Sequence, residues 1–154
     1  MDYNVFIDGA ARGNPGPAGV GIYLTTEKKI VAQYGYFLGN KTNNQAEYVA
    51  LICALVLLKD QVGAGDSVTV YSDSQLLVRQ MNGVYKVKDA CLIILKSCAM
   101  DLIHALGVMC KFVHVMREKN IHADKLANEG IDKMCKIPPQ IAKIMADYKV
   151  FDCA

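Results

Sequence analysis

The sequence lacks the features that mark membrane and exported proteins. Its longest apolar run, residues 48–58, is far shorter than the roughly 20 residues that a membrane-spanning helix needs. No basic stretch with a cleavage site opens the chain, and Cys153 is too near the end for a prenylation motif. We therefore expect a cytoplasmic protein with no membrane partner.

The cysteines show no pair spacing typical of zinc or redox motifs. They occupy positions 53, 91, 98, 110, 135 and 153, and several fall in apolar runs, where thiols pack as small hydrophobic groups. This pattern indicates free thiols in a reducing compartment and argues against a zinc site.

The sequence also lacks a large excess of charge of either sign. The formal net charge is +2 and the pI is about 8.2, which is too mild to indicate a nucleic-acid partner by itself. The chain has 154 residues, 53% of them hydrophobic and 21% charged, without repeats or low-complexity segments. This composition is typical of one globular domain with a single core.

Alternating and helical periodicities divide the chain into strands and helices. Strands are predicted over residues 3–8, 19–26, 30–38, 67–72 and 109–116, and helices over 42–60, 74–81, 90–106 and 122–135. Thr42 to Gln45 has the spacing of a capping box, which places Glu47 in a first helical turn. The order predicts an α/β fold: a mixed five-stranded sheet, three antiparallel strands followed by two parallel ones, with helices on both faces.

Two of these strands end in an aspartate followed by a small residue. The segments are Val5-Phe6-Ile7-Asp8-Gly9 and Val70-Tyr71-Ser72-Asp73-Ser74. Carboxylates at the carboxyl ends of neighbouring central strands repel each other unless a cation lies between them. Each aspartate taken alone is more often a turn former or a helix cap, so the hypothesis depends on the set.

Glu47 and Asp124, each in a first helical turn, could face the same edge of the sheet and complete a set of four. An acid in a first turn is also favoured by the helix dipole, whatever its role. Oxygen ligands without clustered His or Cys favour Mg²⁺ or Mn²⁺ over zinc, and four carboxylates suffice for two ions. Two such ions suit in-line attack at phosphorus.

The chain resembles the type 1 ribonucleases H, in particular the small archaeal-like branch. The resemblance rests on Ile7-Asp8-Gly9-Ala10 with Gly13-Asn14-Pro15-Gly16, on Thr42-Asn43-Asn44-Gln45-Ala46-Glu47, on Ser72-Asp73-Ser74-Gln75, and on a block from His114-Val115 to Leu126-Ala127-Asn128. It implies an RNase H-like fold, with a catalytic domain over residues 1–136 and a tail over 137–154 that we expect to dock as a short helix.

The resemblance also implies an endonuclease that hydrolyses the RNA strand of RNA/DNA hybrids. Asp8, Glu47, Asp73 and Asp124 would be the catalytic ligands of two Mg²⁺ or Mn²⁺ ions, with no other cofactor, and the enzyme would act as a monomer. The family's substrate contacts fall on the Gly9 backbone, Asn14, Asn44 and Gln75 in the minor groove, and on Thr42 and Ser74 at DNA phosphates. Turn and cap chemistry would also explain Asn14 and Thr42.

The chain departs from larger members of this family in two places. It lacks their histidine-bearing loop before the last aspartate, so His122 could approach the metals or point to solvent. It also lacks their basic protrusion, so that only Lys86 and Lys88 could line the phosphate backbone, and affinity for the hybrid should depend strongly on salt. His114 alternates with Phe112 and Met116, which favours a packed structural histidine.

Two other functions remain open at this point. An integrase-like or resolvase-like DNA nuclease would use the same sheet and acidic cluster, but the Asn and Gln set argues against it. A hybrid-binding module without catalysis would have no need of all four acids.

Overall fold

The computed structural model describes residues 1–149 and contains one five-stranded mixed sheet. Its strands are β1 (Asp2–Ala11), β2 (Gly16–Thr25), β3 (Ile30–Lys41), β4 (Ser67–Ser72) and β5 (Met109–His114). The first three pair antiparallel, β4 runs parallel to β1, and β5 runs parallel to β4. The spatial order β3-β2-β1-β4-β5 places β1 at the centre, and the predicted sheet is confirmed.

Within residues 1–149, five α-helices and one 3₁₀ helix connect and cover the strands. They are α1 (Asn43–Lys59), α2 (Gln75–Met81), α3 (Ala90–Leu106), the 3₁₀ helix (Arg117–Lys119), α4 (Ile121–Asp132) and α5 (Pro139–Asp147). The predicted capping box starts α1: the Thr42 hydroxyl accepts from the Gln45 N–H at 3.2 Å, and the Gln45 side chain accepts from the Thr42 N–H at 2.9 Å.

The two faces of the sheet are covered by different helices. Helix α1 packs between β1 and α3 and is buried along nearly its whole length. Helix α4 lies on the opposite face, over β2 and β3. A Cβ atom on Gly21 would lie 2.0 Å from the Ala123 carbonyl oxygen, so the absent side chain lets the first turn of α4 approach the sheet. This close approach brings Asp124 towards β1.

Several predicted boundaries differ from the structure. Strand β1 continues past Asp8 to Ala11, because β2 keeps pairing with it as far as the Ala11 and Ala18 pair. Strand β5 ends at His114, two residues earlier than predicted, and the 3₁₀ helix begins at Arg117. Helix α4 ends at Asp132 because Met134 adopts a left-handed conformation with φ of 48°, and the Cys135 N–H returns to the Gly130 carbonyl.

The chain after α4 contributes to the core through α5, whose side chains Ile141 and Met145 are buried. The part of the tail prediction that concerns residues 150–154 lies outside the described residues. Within residues 1–149 no helix is both long enough and apolar enough to span a bilayer.

The prediction of free thiols holds for only part of the cysteine set. Cys53, Cys98, Cys110 and Cys135 are free, whereas Cys91 is disulfide-bonded, so the prediction is wrong for Cys91. Cys153 lies outside the described residues.

Candidate active site

Strands β1 and β4 place two carboxylates side by side at the centre of the sheet. Their parallel register ends with Ile7 opposite Ser72, and each of these residues is followed by an aspartate. Asp8 is buried and Asp73 is half-buried. The two side chains therefore leave adjacent strands at the same level, although Asp8 lies within its strand and not at its end.

Glu47 reaches the same point from α1, where it is the fifth residue, so the prediction of a first-turn position is wrong. It is only 8% exposed, and its carboxylate accepts a hydrogen bond from the Gly9 N–H at 3.2 Å. A Cβ on Gly9 would lie 2.2 Å from the Ala46 carbonyl carbon, so only glycine allows α1 this close to β1. The backbone at Gly9 thus positions a carboxylate both by its hydrogen bond and by its missing side chain.

Asp124 completes the set from the first turn of α4. Asp8 lies within hydrogen-bond reach of the carboxyl groups of both Asp124 and Glu47. One oxygen each of Asp8, Glu47 and Asp73 lies within 4.8 Å of the others, a separation that a single cation can bridge. The structure therefore brings together all four of the acids singled out from the sequence.

The four carboxylates open into one cavity of about 440 Å³, here called the acidic cleft. Its lining consists of Asp8, Gly9, Ala10, Ala11, Asn43, Asn44, Glu47, Asp73, Ser74, Arg117 and Asp124. Each acid of the cluster offers oxygen atoms, and no thiol or imidazole group of residues 1–149 lines the acidic cleft. Such a donor set fits Mg²⁺ or Mn²⁺ better than zinc.

Burial and mutual repulsion make this cluster electrostatically unfavourable without a cation. Burial and the charge of Asp73 raise the pKa of Asp8 to about 8. Burial and the charges of Asp8 and Asp73 raise the pKa of Glu47, while the Gly9 N–H opposes this shift. Burial also raises the pKa of Asp73. All three shifts favour protons, or a bound cation, between these groups.

Arg117 is a cleft residue that the sequence did not single out. It lines the acidic cleft, and its positive charge offsets part of the rise that burial causes in the pKa of Asp8 and of Asp73. The residue belongs to a sequence block typical of the family, but its position there does not show where its side chain points. The 3₁₀ helix after β5 places it beside the acids.

The predicted substrate residues divide between the acidic cleft and a neighbouring groove. Gly9, Asn44 and Ser74 line the cleft. Asn14, Thr42 and Asn44 line an adjoining groove that also contains the N-termini of α1 and α3. Asn44 belongs to both linings, so the two surfaces are continuous.

Three other predicted substrate residues lie away from these linings. Gln75 is exposed at the first residue of α2, directly after Ser74. Lys86 and Lys88 are exposed in the segment before α3, and Lys86 lines a separate groove with Tyr85 and Met100. None of the acidic cluster lines that groove, so the lysines would meet a long ligand at a distance from the carboxylates.

The two histidines near the site are both exposed, and neither lines the acidic cleft. The His122 ring stacks on Tyr23, with ring centroids 4.3 Å apart, in a small cavity whose lining includes none of the four acids. His114 is exposed at the end of β5, so the prediction of a packed histidine is wrong. Its charge offsets a small part of the burial-driven rise in the pKa of Asp73, because the register sets His114 opposite Ser72 on the adjacent strand.

The sequence comparison assigns this fold and its acidic cleft to one protein family. The sequence profile of the RNase H family matches residues 1–132, and the chain belongs to this family. The resemblance inferred from the motifs is therefore confirmed.

Particular relatives point to the archaeal-like branch. The chain is 40% identical to ribonuclease HI of Halobacterium salinarum over 130 residues, 84% of this chain and 64% of that protein. The crystal structure of RNase H1 from the same species superimposes with a TM-score of 0.80 over 86% of this chain and 99% of that one, again at 40% identity. The structure of LC11-RNase H1 in complex with an RNA/DNA hybrid superimposes with a TM-score of 0.79 at 42% identity, over 85% of this chain and 97% of that one.

The curated relatives are longer than the segment they share with this chain. A bifunctional protein of Mycobacterium tuberculosis is 38% identical over 81% of this chain, which spans only 34% of that protein. The chain thus corresponds to about two thirds of the Halobacterium relative and a third of the mycobacterial one.

Proposed function

We propose that this protein is a ribonuclease H that hydrolyses the RNA strand of RNA/DNA hybrids and leaves 5′-phosphate and 3′-hydroxyl ends. The observation that carries the proposal is the convergence of three carboxylates, with oxygens within 4.8 Å, in a chain of the RNase H family. A relative of the same fold at 42% identity, LC11-RNase H1, has been solved with an RNA/DNA hybrid.

The acidic cluster would hold two divalent ions, Mg²⁺ or Mn²⁺, through Asp8, Glu47, Asp73 and Asp124. When bound, such ions lower the pKa of an attacking water and stabilise the leaving oxygen. Asp8 would be the central member of this ligand set, because it neighbours each of the other carboxylates. Arg117 supplies a fixed positive charge in the same cleft, where a phosphate oxygen could accept its hydrogen bonds.

The groups beside the cleft suit recognition of the hybrid. Asn14, Asn44 and Gln75 are exposed amides whose donors and acceptors match the 2′-hydroxyls and base edges of a minor groove. Thr42 and Ser74 are the N-caps of α1 and α2, so a phosphate beside them would lie at the positive end of each helix dipole. The Gly9 N–H is already taken by Glu47, which leaves the Gly9 carbonyl for substrate.

The outer contacts would come from the lysines before α3. Lys86 and Lys88 are solvent-exposed and separate from the acidic cleft, at a place where a duplex extending beyond the scissile phosphate could pass. Their contribution would be to phosphate affinity and not to chemistry.

A cleavage assay with three duplexes tests the proposal. An RNA/DNA hybrid, duplex RNA and duplex DNA of one sequence are incubated with Mg²⁺, Mn²⁺ or EDTA, and the product ends are identified by phosphatase sensitivity. We expect metal-dependent cleavage of the hybrid's RNA strand, which is lost in Asp73→Asn and retained in Asp60→Asn, an exposed aspartate outside the cleft.

Other outcomes would assign the chain differently. Cleavage of duplex DNA with the hybrid left intact would indicate an integrase-like or resolvase-like nuclease. Hybrid binding without cleavage under any metal condition would indicate a binding module.

The complete acidic set comes from one chain, which supports activity as a monomer. Light scattering during size-exclusion chromatography, combined with a specific activity that does not change on dilution, tests this. A rate per chain that falls on dilution would argue for a dimer.

A further inference from the structure

Asn120 is a buried polar residue at the junction of the 3₁₀ helix and α4. It is 1% exposed, and its Nδ2 donates to the Ile7 carbonyl oxygen at 2.8 Å. Ile7 directly precedes Asp8 on the central strand. The hydrogen bond therefore fixes the start of α4 to the backbone that carries Asp8.

The same asparagine contacts two other parts of the acidic cluster. Its side chain forms a hydrogen bond with Asp73 that offsets part of the burial-driven rise in the pKa of that carboxyl. Its backbone carbonyl accepts from the Asp124 N–H at 3.1 Å. Asn120 thus contacts the backbone before Asp8 on β1, the side chain of Asp73 after β4 and the backbone N–H of Asp124 on α4.

The chemistry of these contacts explains why an amide is present. An asparagine NH₂ group has two hydrogens and no charge, so it can donate to a carbonyl and to a carboxylate without adding charge to the cluster. Its Oδ1 is the one buried side-chain oxygen or nitrogen within residues 1–149 that lacks a hydrogen-bond partner. Such an atom costs free energy, so apolar packing alone would favour a hydrophobic residue at this position.

We propose that Asn120 is a positioning residue that fixes the relative places of Asp8, Asp73 and Asp124 and so sets the affinity of the cluster for divalent metal. The inference rests on the proposed function, because it takes these carboxylates as metal ligands. Residues that orient metal ligands from behind typically contribute about 10- to 100-fold in metal affinity or activity.

The test compares Asn120→Ala with a control that loses a buried hydrogen bond elsewhere. Gln80→Met serves as the control, because Gln80 is 5% exposed in α2, accepts from the Tyr48 hydroxyl at 2.6 Å and does not line the acidic cleft. Mn²⁺ affinity is measured by calorimetry in the absence of substrate. The cleavage assay on the hybrid gives kcat and KM, and urea unfolding in EDTA gives the stability. Both variants should lose stability.

Only the Asn120 variant should change the metal site. We expect Asn120→Ala to weaken Mn²⁺ binding by about tenfold and to lower kcat by about 10- to 100-fold, with KM for the hybrid within about twofold of wild type. Gln80→Met should keep the wild-type Mn²⁺ affinity, kcat and KM. Asn120→Asp preserves the side-chain size but turns an acceptor towards the Ile7 carbonyl, so kcat should fall at least as far.

Two results would overturn the inference. The first is Asn120→Ala with Mn²⁺ affinity and kcat within twofold of wild type and a stability loss like that of Gln80→Met. The second, which also applies if the alanine variant does not fold, is wild-type kcat in Asn120→Asp. Wild-type protein that neither binds Mn²⁺ nor cleaves the hybrid would refute the proposed function itself, which is a different outcome.

Discussion

Asp8→Asn should stabilise the metal-free protein while it abolishes cleavage. Burial and repulsion raise the pKa of Asp8 from an ordinary value of 3.8 to about 8. Between these pH values the folded protein binds more protons than the unfolded chain, so stability falls as the pH rises. The pKa values of Glu47 and Asp73 are shifted in the same direction, which reinforces the sign.

The size of the effect follows from the shift. At about 1.4 kcal/mol per pKa unit, a shift of roughly four units in an isolated group would be worth on the order of 6 kcal/mol. The interacting carboxylates share this electrostatic penalty, so the isolated-group figure is an upper bound, and we expect Asp8→Asn to gain about 2 to 3 kcal/mol at pH 8 in EDTA. The gain should shrink towards pH 5, where the acids of the folded cluster are protonated.

Urea unfolding in EDTA at pH 5, 6.5 and 8 measures the gain. Asp60→Asn is the matched control, and a change of only a few tenths of a kcal/mol is expected for this exposed residue. Added Mg²⁺ should reduce the difference, since binding at 100 times the dissociation constant stabilises wild type by about 2.7 kcal/mol. An Asp8→Asn variant that is less stable than wild type in EDTA at pH 8 would refute the reasoning.

Three further changes probe the surroundings of the cleft. Gly9→Ala should destabilise the fold by about 3 kcal/mol and abolish metal-induced stabilisation, because its Cβ would lie 2.2 Å from the Ala46 carbonyl carbon; thermal unfolding with and without Mg²⁺ checks this. His122→Ala should keep kcat within about twofold, and a tenfold loss in the cleavage assay would show that the ring leaves its stack to act at the metals. The double variant Lys86→Ala, Lys88→Ala should raise KM, leave kcat unchanged and lower the slope of log affinity against log salt concentration by up to about 1.8. The slope is measured between about 50 and 200 mM salt, the range over which phosphate contacts of this kind are lost. An unaltered slope would show that neither lysine contacts the hybrid.

Local sequence patterns were enough to predict the order of strands and helices. Alternation marks the strands, and the Thr42 and Gln45 pair marks the start of α1, because these signals depend on neighbours within a few residues. Boundaries that depend on distant partners were predicted less well. Strand β1 extends to Ala11 only because β2 continues to pair with it, and no residue of β1 itself encodes that length.

The candidate site shows the same division. The sequence alone determined that Asp8 and Asp73 follow buried strand residues and that Asp124 lies in a first helical turn, since these are properties of short segments. Only the tertiary structure decided which other groups join them. Arg117 and Asn120 reach the cluster through a 3₁₀ turn and a hydrogen bond to Ile7, 113 residues away, and His122 turns from it to stack on Tyr23. The physical reason is that side-chain direction and long-range contact are fixed by packing between elements, which local periodicity does not contain.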